Sequence, residues 1–143
     1  MPSWTSDPSN PNNVTIEKEI REAIKKPKGE LTKADLEHVV KLNLWNKQLT
    51  ELPEGLMKLT QLKELYLERN KLTEVPKVLE NLTQLEFLSL HENKLTDVKE
   101  LEKFTELTLL SLQDNPGLTK AQIDELQKAL PKCTIRSNAA KLK

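Results

Sequence analysis

Five side chains in the C-terminal half of the chain are of the types that hydrolyse acyl bonds. Ser89 and Ser111 are candidate nucleophiles, His91 a candidate base, and Glu92 and Asp114 the carboxylates that would orient it. Such a set also needs oxyanion donors and a site that excludes water. No nucleophile-elbow motif is present, and the three glycines form no phosphate-cradling loop. Serine and histidine at solvated strand positions are ordinary, so these residues predict no catalysis and the chain reads as non-enzymatic. Metal chemistry is not expected, because His38, His91 and Cys133 are widely separated and show no ligand spacing. No cofactor is expected.

The elements that would hold these residues announce themselves by repetition. Leu62-x-x-Leu65-x-Leu67-x-x-Asn70-x-Leu72 returns as Leu85-x-x-Leu88-x-Leu90-x-x-Asn93-x-Leu95. A first copy runs Val39-x-x-Leu42-x-Leu44 to Leu49, and a fourth Leu107-x-x-Leu110-x-Leu112-x-x-Asn115 to Leu118. Leu42, Leu65 and Leu88 are 23 residues apart and Leu110 follows after 22. A period of this length marks a stacked array in which each copy supplies one strand and buries its apolar edge against its neighbours. Between strands a second ladder returns the chain: Leu52, Leu56, Leu59; Val75, Leu79, Leu82; Val98, Leu101, Phe104. Pro53 and Pro76 open two of these segments, where no sheet hydrogen bond is needed. The third lacks the proline and is one residue shorter.

Asn70, Asn93 and Asn115 form a column after each strand, where a carboxamide can satisfy the buried backbone of a tight bend. The first copy has Lys47 there. Either a neighbouring amide substitutes or that bend is open to water.

The remaining segments read as ends. Residues 1–13, rich in proline, serine and asparagine, form a tail in which Trp4 is free or docks on the first layer. Residues 14–38 form a helical N-terminal cap. Its first helix has Ile16, Ile20 and Ile24 on one face and stops at Pro27, and its second begins at the capping box Thr32/Asp35. Repeats occupy 39–118. Residues 119–136 hold a capping helix, started by the Thr119/Gln122 box, and a closing strand at Cys133-Thr134-Ile135, before a frayed 137–143.

Lys+Arg and Asp+Glu balance at 22 each, which removes the bulk basic field expected of a nucleic-acid binder. No stretch approaches the roughly 18 apolar residues of a membrane span. One cysteine permits no internal disulfide. Met1 is followed by Pro2, Ser3 and Trp4, with no basic and then apolar run of a leader.

The strand motif, asparagine column and Leu-Pro return segment over residues 39–118 resemble the leucine-rich repeat superfamily. The shorter third repeat looks internalin-like, and the helical start resembles the caps of bacterial repeat proteins. The resemblance implies an α/β fold: a right-handed solenoid with a short parallel sheet on its concave face and helical caps at both ends. It further implies a monomeric module that binds another protein, secreted or surface-attached in bacteria, with a cytoplasmic location also open.

Alternation in Leu-x-Leu sends the intervening side chains to the concave face: Lys41, Asn43, Trp45; Glu64, Tyr66, Glu68; Phe87, Ser89, His91; Leu109, Ser111, Gln113. Trp45, Tyr66 and Phe87 step one column per repeat and Leu109 follows Phe87, giving a diagonal apolar stripe with Arg69 beside it. Three of the five aromatics lie there. Aromatics and arginine are frequent interface anchors. The expected partner-binding face therefore comprises Trp45, Tyr66, Phe87 and Leu109 with Asn43, Glu64, Glu68, Arg69 and His91. A glycan-binding face or an engineered scaffold without a ligand are the alternatives, and plain cross-strand packing would explain the aromatics as well.

Overall fold

The computed structural model describes residues 11–138. Helices α1 (Pro11–Ile24) and α2 (Lys33–Glu37) precede strands β1 (Lys41–Asn43), β2 (Glu64–Tyr66), β3 (Phe87–Ser89) and β4 (Leu109–Ser111). Helix α3 (Lys120–Ala129) and strand β5 (Thr134–Arg136) follow. The strands form one parallel sheet in chain order, β1-β2-β3-β4-β5. Its register aligns Leu42, Leu65, Leu88, Leu110 and Ile135 in one row. The four leucines of that row are buried, and Leu44, Leu67, Leu90 and Leu112 form a second buried row beside it. The periodic leucines thus face inward as their spacing requires, and the fold is an α/β solenoid.

The strands are three residues long because each coil must turn at once to keep its leucines on the shared core. Return segments are short 3₁₀ turns at Glu54–Lys58, Lys77–Asn81 and Lys99–Lys103. Pro53 and Pro76 precede the first two in extended conformation. In the third, Val98 takes that place, and Asp97 accepts the Lys99 amide at 3.0 Å. A side-chain turn thus replaces the proline, and the missing residue is lost at this point.

The asparagine column binds coils together. Asn93 Nδ2 donates to Leu90 O of its own coil and to Leu67 O of the coil before, at 3.1 and 3.0 Å. Its Oδ1 accepts Leu72 N at 3.1 Å. Asn70 does the same toward Leu44 O and Leu49 N, and Asn115 toward Leu90 O and Leu95 N. Each carboxamide therefore serves the bend of the preceding coil. At Lys47 an amide does substitute, but it comes from the next coil and not from the flanking residues: the first coil has no predecessor to bind, and its own bend is filled by Asn70, which accepts Lys47 N at 3.0 Å. The Lys47 ammonium instead pairs with Glu19 of α1 at 3.2 Å.

Helix α1 packs on β1, with Ile16 and Ile20 wholly buried. It begins at Pro11, so Pro11 to Asn13 of the expected tail are helical; proline is tolerated in a first turn, where its missing N–H has no partner to lose. Both capping boxes form with reciprocal hydrogen bonds, Thr32 with Asp35 and Thr119 with Gln122. Helix α3 packs on the third return segment and buries Ile123 and Leu126, while Ala129 faces water. Cys133 is buried, which raises its thiol pKa. Trp4 and the termini 1–10 and 139–143 lie outside the described residues. Among the described residues no helix is long and apolar enough to cross a membrane.

Three measurements probe this frame. Leu88→Ala should cost about 2–5 kcal/mol in urea unfolding, as for other buried leucines. Asn93→Ala should cost about 3–5 kcal/mol, since it strips partners from several buried backbone groups at once, whereas Lys47→Ala should cost under about 1 kcal/mol. Equal losses at Asn93 and Lys47 would contradict the coil-to-coil role. Asp35 is held near pKa about 2, against an ordinary 3.8, by its hydrogen bond from Lys26 and then by the Thr32 amide. A depressed folded value means the contribution is complete above the unfolded value and fades as pH falls toward about 2. The stability gap between the native chain and Asp35→Asn should therefore close over that window.

Candidate binding face

The sheet register sets the columns of the concave face. Glu64, Phe87 and Leu109 align in one column; Asn43, Tyr66, Ser89 and Ser111 align in the next. Trp45, Glu68, His91 and Gln113 continue one step further along the same strands. The aromatics therefore do run diagonally. Tyr66 and Phe87 are in ring contact, with centroids 4.9 Å apart and planes at 38°. Lys41 Nζ lies 5.3 Å from the Tyr66 centroid, and Tyr66 Oη donates to Glu64 Oε1 at 2.9 Å. Partial burial and that carboxylate raise the Tyr66 pKa, so the ring carries a neutral hydroxyl. Trp45 stands apart: it is 44% exposed, and among the described residues no ring contact joins it to the pair. Asn43 Oδ1 accepts the Trp45 amide at 3.2 Å, which ties the end of β1 to the tryptophan backbone.

At the strand ends the backbone adopts a feature that the sequence did not signal. Asn46, Arg69, Glu92 and Asp114, each just before the bend position, are left-handed with φ between 54° and 60°. No glycine marks them. The inter-coil hydrogen bonds around them, such as Arg69 N to His91 O and Glu92 N to Gln113 O at 2.9 Å, hold the conformation. The turn aims Arg69, Glu92 and Asp114 along one rim of the face. Arg69 Nε pairs with Glu92 Oε2 at 2.9 Å. His91 lies between two carboxylates, Nε2 at 3.3 Å from Glu92 and Nδ1 at 3.5 Å from Asp114.

The hydrolase residues gather only in part. Ser89 is 5% exposed, too covered to be attacked or to attack from the face. Ser111 Oγ donates to Gln113 Oε1. Among the described residues no hydrogen bond joins either serine to His91, so these three do not stand as a nucleophile–base pair. Metal-type donors, however, do cluster at one place: one ligand atom each of His91, Glu92 and Asp114 lie within 4.8 Å of one another. That differs from the expectation of no clustered ligands. His38 and Cys133 are indeed elsewhere, but carboxylates one coil apart converge on His91, and this convergence depends on the bend rather than on spacing in the sequence.

Comparison with known proteins agrees with the solenoid. A leucine rich repeat family matches residues 37–95. No curated protein matches the chain. Among solved structures, a Leptospira interrogans leucine-rich repeat protein is 32% identical over 71% of this chain and 26% of its own length, with a TM-score of 0.62. Internalin C2 of Listeria monocytogenes is 24% identical over 93% of this chain and 60% of its own, with a TM-score of 0.74. The functional domain of internalin J from the same species, which includes a cysteine ladder, is 26% identical over 85% of this chain and 26% of its own, with a TM-score of 0.66. The chain thus spans between about a quarter and three-fifths of the length of these proteins. With the repeat period, the parallel sheet and the asparagine column in agreement with these likenesses, the chain belongs to the leucine-rich repeat superfamily.

Proposed function

We propose that the chain is a non-enzymatic recognition module that grips another protein along its concave sheet. Trp45, Tyr66 and Phe87 are the anchors, extended by Leu109, with Asn43, Glu64, Glu68, Arg69 and His91 as polar selectors. The observation that carries this reading is the Tyr66–Phe87 pair, held on an accessible face by Lys41 and Glu64 although the repeat core does not need it there. Rings fixed before association lose little side-chain freedom on binding, which suits an interface anchor. Resemblance to the leucine-rich repeat family supports a protein partner as the ligand class.

The Ser111–Gln113 hydrogen bond and the covered Ser89 leave no free nucleophile beside His91, which supports a role without chemistry.

Alanine at Trp45, Tyr66 and Phe87 together should abolish partner recovery in pull-downs from the native source. Stability should fall by only about 1–2 kcal/mol, because an aromatic pair on a sheet face contributes roughly 0.5–1.5 kcal/mol. Undiminished recovery by a folded triple variant would show that the partner docks elsewhere. Strong signals on a glycan array, lost in the same variant, would replace the protein partner by a sugar.

A further inference from the structure

The carboxylates around His91 are each held at one oxygen and directed at the imidazole with the other. Glu92 Oε2 takes Arg69 Nε at 2.9 Å, and its Oε1 lies 3.3 Å from Nε2. Asp114 Oδ1 takes Asn138 Nδ2 at 3.0 Å, and its Oδ2 lies 3.5 Å from Nδ1. A neutral imidazole has one N–H and one lone pair. Once Nε2–H faces Glu92, the lone pair of Nδ1 faces the lone pairs of an Asp114 oxygen. Nδ1 is screened from water and has no hydrogen-bond partner. An acceptor shielded beside another acceptor is unfavourable unless something positive lies between them.

From this we propose that His91 Nδ1 and the Asp114 carboxylate bind a divalent transition-metal ion of the zinc type, with Glu92 as the positioning residue that fixes the imidazole through Nε2. Zinc lies about 2.1 Å from nitrogen and oxygen ligands, so an ion equidistant from Nδ1 and Oδ2 at their present separation subtends about 110°, close to tetrahedral. A carboxylate on the far ring nitrogen of a metal-bound histidine is the usual outer support of such a ligand. Imidazole nitrogen favours zinc, nickel or copper over calcium and magnesium, which prefer all-oxygen shells.

The supporting geometry is rigid. Glu92 and Asp114 occupy the same left-handed position of adjacent coils, and Asn93 and Asn115 immediately after them are buried and hydrogen-bonded across coils. The ion would join the third coil to the fourth, and water would fill its remaining positions. The inference is independent of the protein-binding reading, because its probe is the ion alone.

Zinc chloride titrated into the whole chain, followed by calorimetry and by nitrogen-15 spectra of the histidine rings, tests it. One equivalent should bind, the His91 ring signals should move before those of His38, and the thermal midpoint should rise and return with EDTA. His91→Ala and Asp114→Asn should each remove the response, and Glu92→Gln should weaken affinity about 10–100-fold without removing it. Urea unfolding of each variant keeps loss of fold distinct from loss of the site. Zinc-insensitive His91 signals in the folded native chain would overturn the proposal, as would an undiminished response in His91→Ala or Asp114→Asn. Loss in Glu92→Gln as complete as in Asp114→Asn would overturn the positioning role. A doubly protonated His91 ring that ignores zinc at neutral pH would show that a proton bridges the carboxylates instead.

Discussion

The carboxamide that reaches from each coil into the bend of the one before is the constraint on which the rest depends. Burying leucines draws coils together, but it is non-directional and would tolerate sliding. A tight bend at the end of a three-residue strand buries backbone groups that no sheet partner reaches. Asparagine answers both needs, because one side chain donates twice and accepts at once. The bonds cross from coil to coil, so they fix the spacing and register of the stack as well as the bend. They also hold the left-handed residue before each asparagine, a conformation that costs a non-glycine residue about 1–2 kcal/mol. The rim side chains on the concave face owe their direction to that held turn.

Much of this was legible because buried periodicity leaves little choice. Leu42, Leu65, Leu88 and Leu110 had to face one core, and the alternation beside them placed Tyr66, Phe87 and the neighbouring polar residues outside. What was not legible depends on relations between coils rather than within one. Lys47 looked like a defect when read inside its own repeat; it is none, because the amide comes from the next coil. The left-handed rim positions carry Arg69, Glu92 and Asp114 without glycine or any other local mark. The sequence groups His91 with Glu92 and Asp114 as a candidate hydrolase set, but as metal-type donors the three carry no ligand spacing, because Asp114 comes close only after the coils stack. Ser89 follows the outward alternation but is covered by its surroundings, so facing outward and being accessible came apart.

Two kinds of surface therefore share the concave sheet. The Tyr66–Phe87 pair is supported on several sides, by Lys41 over the ring, Glu64 at the hydroxyl and each ring against the other. Trp45 has no such support from an aromatic neighbour among the described residues, so on the proposed reading its ring would be settled by the partner. An interface built this way would bind first through the rigid pair and gain further area by settling the tryptophan, at the entropic cost of immobilising one large side chain.

The polar rim behaves differently. Arg69, Glu92, His91, Asp114 and Asn138 stand in a chain of contacts in which His91 Nδ1 is left without a hydrogen-bond partner. A charged partner meeting this rim must exchange existing pairs for new ones. The cost of doing so is small, since exposed ion pairs contribute about 0–1 kcal/mol each. If the proposed interface holds, selectivity from such a rim would rest on geometry more than on unmatched charge: a partner would be accepted where its own donors and acceptors can replace those now engaged, and rejected where they leave a carboxylate or the guanidinium stranded. On the proposed reading, held turns would give the rim its shape and weak pairs would let its contacts change, and the two together would allow a rigid solenoid to discriminate without deforming.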